Sequence, residues 1–246
     1  MGRIMEADKV KKTKIICTMG PNADNEETLR ALIENGMDVA RFNFSHGDYE
    51  EQKARMDLLK RVRKEMHRPI AILLDTKGPE IRTGVLENGG KVLLREGEEF
   101  TLTATEMAGT EKKVYQTYPH LSKDVKPGDT ILIDDGLIGL KVKEIQDRDI
   151  VCRVVNGGEL GQRKGINVPN VSVNLPGITA KDKQDIIFGI EQGIDFIAAS
   201  FVRNADAVRE IRTILKEHNA EHIEIISKIE NSEGIENLDK IIQASD

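Results

Sequence analysis

Short apolar runs rich in β-branched residues alternate with amphipathic stretches along much of this chain. Lys14-Ile-Ile-Cys-Thr-Met19 is the first such run, and Gly20-Pro21 stops it. Residues 25–35 then place Leu29, Leu32 and Ile33 at helical spacing. Asn25 is positioned to cap that helix, Glu26 and Glu27 sit in its first turn, and Gly36 follows its end. The unit repeats with a strand over 38–43 and a helix over 49–67. The next strand, 69–75, reads Pro-Ile-Ala-Ile-Leu-Leu-Asp. It is apolar on both faces, as a buried parallel strand must be.

The texture changes after Gly78-Pro79. Between about 80 and 175 there is almost no helical period. Alternating stretches at 91–94, 99–104, 129–133, 137–145 and 150–155 predict strands, with turns at Pro127-Gly128 and Asp135-Gly136. The α/β rhythm returns with helices over 180–192, 205–218 and 232–244 and strands over 195–200 and 223–228. The pattern therefore predicts five βα units with a small all-β insertion after the third strand. In residue terms, 1–78 and 177–246 form one unit and 79–176 is inserted. Alternating β and α predicts a parallel sheet with right-handed crossovers. That sheet is either part of a (β/α)8 barrel or doubly wound. The first βα turn lacks the G-x-G-x-x-G of dinucleotide-binding folds, which favours the barrel. A closed barrel needs eight strands, and this chain provides five.

Composition narrows the picture further. With hydrophobic residues at 39%, charged residues at 32% and no Trp, the chain reads as globular with an aliphatic core. Net charge is −6 and no polybasic tract occurs, which argues against duplex nucleic acid as a partner. No apolar run is long enough to span a bilayer, and the polar residues 1–12 do not read as a signal peptide. That N-terminal stretch is expected to be frayed or to form a short helix. Cys17 and Cys152 have no ligand or redox spacing, and read as apolar fillers of a reducing, cytoplasmic protein.

Polar residues gather where the strands end. Strand two ends Val39-Ala-Arg41-Phe-Asn43-Phe-Ser45-His46, and period two puts Arg41, Asn43 and Ser45 on one face if the strand persists. Ser45 or Asp48 alternatively caps the next helix. Strand three ends in Asp75-Thr76-Lys77-Gly78-Pro79-Glu80-Ile81-Arg82. An Asp at the end of a buried strand calls for a cation or for a pair such as Arg41. Strand five ends Ser227-Lys228-Ile229-Glu230-Asn231. Lys228 and Glu230 are either an internal ion pair or an ammonium beside a metal-capable carboxylate, suited to an oxyanion or phosphoryl site. Three such strand ends on one rim point to an anion-binding active site served by metal ions.

At these residues the sequence resembles the pyruvate kinase family. The resemblance is carried by Thr13-Lys-Ile-Ile-Cys-Thr-Met-Gly-Pro21, Val39-Ala-Arg-Phe-Asn-Phe-Ser-His-Gly47, Leu74-Asp-Thr-Lys-Gly-Pro-Glu-Ile-Arg-Thr-Gly84, Lys164-Gly-Ile-Asn167, Asn174-Leu-Pro-Gly177 and Ile226-Ser-Lys-Ile-Glu-Asn-Ser-Glu-Gly234. The resemblance implies a TIM barrel with a lid domain inserted after strand three. It also implies phosphoryl transfer from phosphoenolpyruvate to ADP, giving pyruvate and ATP. By that resemblance Lys228 holds the transferring phosphoryl group and stabilises the enolate, and Arg41 and Arg82 contact phosphate. His46, Lys164 and Asn43 lie near the nucleotide. Glu230 is one ligand of Mg2+ or Mn2+, while Asn43, Ser45, Asp75 and Thr76 hold K+. Glu80 matches family members that depend on K+.

The resemblance also implies a homotetramer, three further barrel strands and a second carboxylate ligand of the divalent ion. None of these strands lies within the 246 residues. The chain by itself is therefore expected to be inactive. The competing reading is a non-catalytic fragment that binds phosphate or nucleotide or associates with itself. A different enolate-forming barrel enzyme fits the combined K+ and lid motifs less well.

Overall fold

The computed structural model describes residues 12–246, so the expectation for the N-terminal stretch lies outside the described residues except at Lys12. The chain begins β1 (Ile16–Met19), α1 (Glu26–Glu34), β2 (Val39–Asn43), α2 (Tyr49–Glu65) and β3 (Ala71–Asp75). A long β-rich segment follows. It contains β4 (Ile81–Arg82), β5 (Val92–Leu94), β6 (Glu99–Thr103) and β7 (Lys113–Tyr115). After the single turn of α3 (Leu121–Asp124) come β8 (Thr130–Ile133), β9 (Ile138–Gln146), β10 (Asp149–Asn156), β11 (Gly158–Leu160) and β12 (Gly165–Asn167). The α/β alternation resumes with α4 (Ala180–Glu191), β13 (Phe196–Ala199), α5 (Ala205–Glu217), β14 (Glu224–Ser227), α6 (Ser232–Glu236) and α7 (Leu238–Ala244).

Strands β1, β2, β3, β13 and β14 form one parallel sheet in that spatial order. Sequential order without a reversal is barrel topology, since a doubly wound sheet has a switch point. The packing agrees. Ala40, Phe42, Ile72, Leu74, Ile197, Ala199 and Ile225 are buried on one face with Leu29, Met56, Leu59, Ile186, Val208, Ile211 and Ile241 of the helices. The other face carries Thr18, Arg41, Asp75 and Ile226, because side chains alternate along each strand. The architecture is part of a (β/α)8 barrel.

The strands from β4 to β12 make a seven-stranded sheet, ordered β4-β12-β8-β9-β10-β6-β7, and a two-stranded ladder of β5 with β11. They enclose a second apolar cluster, with Phe100, Leu102, Ile131, Leu140, Ile150 and Cys152 at its centre.

The helix starts follow their capping chemistry. Asn25 Oδ1 accepts from Thr28 N at 2.8 Å, and Gly36 (φ +96°) turns the chain after α1. Asp48, not Ser45, caps α2 by accepting from Glu51 N at 2.9 Å.

Three expectations are corrected. Strand β2 ends at Asn43 and a turn follows, so Ser45 does not continue its alternation. The helix expected over 232–244 is two helices broken at Asn237. The Asn237 side-chain amide donates to the carbonyls of Glu233 (3.0 Å) and Arg203 (3.1 Å), an alternative to regular helix bonding typical of Asn. The helix-free reading of the β-rich segment missed α3 and the short strands β4, β7, β11 and β12. Two to four residues are too few to carry a period.

Candidate active site

The rim is built around Asp75, whose side chain is 4% exposed. Parallel register puts Asn43 beside Asp75 and Ala198 on its other side. Arg41 Nε donates to Asp75 Oδ2 at 2.6 Å, and Arg41 Nη1 donates to Thr18 Oγ1 at 2.7 Å. Lys228 Nζ lies 2.9 Å from Asp75 Oδ1. A buried carboxylate thus fixes two cations from strands on either side. Each cation remains partly exposed, and the trio carries one net positive charge. This arrangement suits an anionic ligand.

Residues beyond β13 and β14 complete the rim. Glu230 Oε1 lies 3.6 Å from Lys228 Nζ, and its Oε2 accepts from Phe201 N at 2.9 Å. Phe201 has φ +56°, a left-handed conformation uncommon outside Gly, and its amide faces Glu230. Ser200 Oγ donates to the Thr76 carbonyl at 2.5 Å and lies 3.2 Å from Asp75 Oδ1, while Ser200 N donates to Thr76 Oγ1.

The loop after β2 is held locally. Asn43 Oδ1 accepts from Ser45 N at 2.9 Å, and Gln52 Nε2 donates to the carbonyls of Asn43 (3.1 Å) and His46 (2.9 Å). His46 is exposed.

Arg82 and Lys164 lie in the β-rich segment, next in sequence to Ile81 and Gly165, which line a cleft beside this rim. Arg82 Nε donates to Glu80 Oε1 at 2.5 Å and its Nη1 to the Arg163 carbonyl at 2.9 Å. The hydrogen bond to Glu80 raises the guanidinium pKa above its ordinary value. Lys164 pairs with Asp134 at 3.0 Å. The cleft, of about 410 Å³, is lined on one side by Glu80, Ile81 and Asn167 and on the other by Phe201, Arg203 and Glu230. Arg203 is buried, which lowers its pKa, and it donates to the carbonyls of Leu175 and Pro176.

The structure therefore brings Arg41, Asp75, Lys228 and Glu230 together, with Thr76 joined to them through Ser200. Asn43 and Ser45 stand beside them, whereas Arg82 and Lys164 lie in the β-rich segment, paired with Glu80 and Asp134. Sequence reasoning missed Thr18, Ser200, Phe201 and Arg203. Ser200 carried a usable signal, a hydroxyl directly after the apolar run Phe196-Ile-Ala-Ala. Nothing local marked Phe201, since its role lies in a backbone amide.

The family model described as "Pyruvate kinase, barrel domain" matches residues 10–246. The chain belongs to the pyruvate kinase family. It is 54% identical over 239 residues to a pyruvate kinase of Bacillus licheniformis, covering 96% of this chain and 41% of that protein. Identity to the pyruvate kinase of Geobacillus stearothermophilus is 54% over 238 residues, covering 96% and 40%. The pyruvate kinase of Clostridium acetobutylicum is 50% identical over 238 residues, covering 96% and 50%. The chain thus spans about half or less of the length of these pyruvate kinases. Among the described residues, no helix is long and apolar enough to cross a membrane.

Proposed function

We propose that this chain supplies the phosphoenolpyruvate-binding part of a pyruvate kinase centre, for phosphoryl transfer from phosphoenolpyruvate to ADP to give pyruvate and ATP. The observation that carries this is the pair of cations, Arg41 and Lys228, held by one buried carboxylate on a barrel rim. Phosphoryl transfer is mainly positioning and charge neutralisation, so fixed cations can serve it without a protein nucleophile. Lys228 takes the transferring phosphoryl group and the enolate oxygen, and Arg41 and Arg82 take phosphate oxygens. Asn43, His46 and Lys164 face the nucleotide. Residues 1–78 and 177–246 act as the barrel part, and 79–176 as a lid that excludes water from the cleft. A cytoplasmic setting suits this activity, and the family's homotetramer is the assembly to test for.

The donor chemistry at Asn43, Ser45, Asp75 and Thr76 fits K+. All four offer oxygen (amide, hydroxyl, carboxylate and hydroxyl or carbonyl), and the Asn43 and Asp75 partners are adjacent in register. K+ bound there would add positive charge to the rim. For Mg2+ or Mn2+ the fit is partial. Glu230 is one carboxylate, and among the described residues no three His, Cys, Asp or Glu side chains converge on a metal position. A divalent ion at Glu230 needs further oxygens from substrate phosphate, solvent or another part of the enzyme.

The test is calorimetric binding of phosphoenolpyruvate to the 246-residue chain, together with ATP formation in ADP, Mg2+ and K+. Binding weakened at least about tenfold by Lys228→Met, the scale of one charge-assisted contact, with no turnover above that variant, is expected. Turnover abolished by Lys228→Met would keep the phosphotransferase reading and remove the incomplete site. Binding indifferent to Lys228 rejects the reading.

A further inference from the structure

The oxygens assigned above to K+ lie at the ends of β2 and β3, at Asn43 and Asp75, and in the loops that follow, at Ser45 and Thr76. Helix α4 grips both loops with adjacent residues of its first turn. Lys181 Nζ donates to the Phe44 carbonyl at 3.2 Å, between Asn43 and Ser45. Its ammonium is steered there by Asp185, whose Oδ2 lies 2.6 Å away. Asp185 is fully buried and also accepts from Tyr49 Oη at 2.7 Å. Asp182, the next residue after Lys181, is 2% exposed. Its Oδ1 accepts from Gly78 N at 2.9 Å, and its Oδ2 accepts from Thr179 N at 3.0 Å and Thr179 Oγ1 at 2.6 Å.

The Gly78 loop has no slack against this grip. Gly78 is left-handed (φ +71°), and a Cβ there would lie 2.7 Å from Ser200 Cβ and 2.8 Å from the Ser200 carbonyl. Ser200 in turn holds the carbonyl and hydroxyl of Thr76. Capping α4 does not by itself need this construction. The caps Asn25 and Asp48 are exposed and bond only within their own first turns. Asp182 caps its own first turn through Oδ2 and in addition reaches, through Oδ1, an amide 104 residues earlier in the chain.

We propose that Lys181 and Asp182 are positioning residues for the monovalent cation, setting the separation of the Asn43–Ser45 and Asp75–Thr76 oxygens. Neither touches the cation. The proposal rests on the reading of those four residues as K+ ligands. Lys181 presses the first loop toward the rim, and Asp182 keeps the second from retreating with Gly78. Cation affinity depends on both because an ion site gains most when its oxygens are held in place before binding.

The experiment is thermal unfolding of the 246-residue chain in KCl against tetramethylammonium chloride at equal ionic strength. Binding to the folded state raises Tm, and the titration yields a half-saturating K+ concentration. Asp182→Ala is expected to raise that concentration about tenfold, the scale of one charge-assisted hydrogen bond. Asp182→Asn keeps an oxygen for the Gly78 amide but turns its NH2 toward the Thr179 amide, so it should recover only part of the loss. Ile241→Val, a buried change on α7, should lower Tm without moving half-saturation. Should Asp182→Ala not fold, Lys181→Met carries the test, since that side chain is half exposed. Variants that lower Tm yet keep the parent's half-saturation reduce α4 to a structural cap and overturn the proposal. A parent chain with no K+-specific rise in Tm rejects the cation site itself, and this proposal with it.

Discussion

Asp75 shows how much one residue at a strand end can organise. The sequence made its need for a partner legible, and Arg41 was a nearby choice. Lys228 was invisible as a second partner because 153 residues separate it from Asp75, and only the β3-β13-β14 pairing brings them together. Burial acts on single residues elsewhere too. It pushes the Cys152 thiol up to about 12, and burial followed by the Asp124 hydrogen bond does the same to Tyr118. In the unfolded chain these groups titrate near ~8.5 and ~10. Their folded pKa values are raised, so the stability they contribute is complete below about pH 8.5 and is lost as pH rises toward 12, because the unfolded chain releases protons the folded one keeps. The urea midpoint should therefore fall steadily from pH 8.5 upward, and Cys152→Val should flatten the early part of that fall. A midpoint constant from pH 8 to 10.5 would contradict it.

Elements were legible where their periods were long enough and their ends were chemically marked. Strands β1, β2, β3, β13 and β14 and helices α1, α2, α4 and α5 lie within a few residues of their expected limits. Caps explain much of this, and α5 is a clear instance. Asn204 Oδ1 accepts from the amides of both Asp206 (3.1 Å) and Ala207 (3.2 Å). Asn204→Ala is expected to cost about 1 kcal/mol in chemical denaturation, and Asn204→Asp only a few tenths. Equal stability of all three proteins would show that packing of Val208, Ile211 and Leu215 alone holds α5. The short strands of the β-rich segment were illegible for the opposite reason. Gly165–Asn167 becomes a strand by pairing with segments about 30 to 85 positions earlier, and the three residues Lys113–Tyr115 by pairing with β6. The break at Asn237 belongs here as well, since its carbonyl partner on Arg203 lies in another βα unit.

At the scale of the molecule, the parallel sheet has two edges. Among the described residues no strand pairs with the outer side of β1 or β14. Ile15 and Ile16 are exposed at the first edge, and Ile226, Ile235, Leu238 and Ile242 at or near the second. Unpaired backbone beside exposed aliphatic side chains favours association. Sedimentation velocity of the 246-residue chain should show mass rising with concentration, and Ile235→Lys with Ile242→Lys should reduce it. A single monomeric species at every concentration would mean that these edges are protected.

The sequence by itself determined the alternation of strands and helices, the insertion after the third strand and the positions of the charged residues at the strand ends. Those follow from local periodicity, capping and turn chemistry, which depend on near neighbours. Periodicity alone left barrel and doubly wound sheet both open; the strand order without a reversal decided for the barrel that the family resemblance implied, because the order of strands in a sheet is set by pairing between distant segments. Tertiary structure alone decided that Asp75 holds two cations, that Ser200 ties Thr76 to the rim, and that α4 grips the loops after β2 and β3. Each of these contacts joins residues more than 100 positions apart or lying on different βα units. No pattern within a few turns of chain can encode the distance between them.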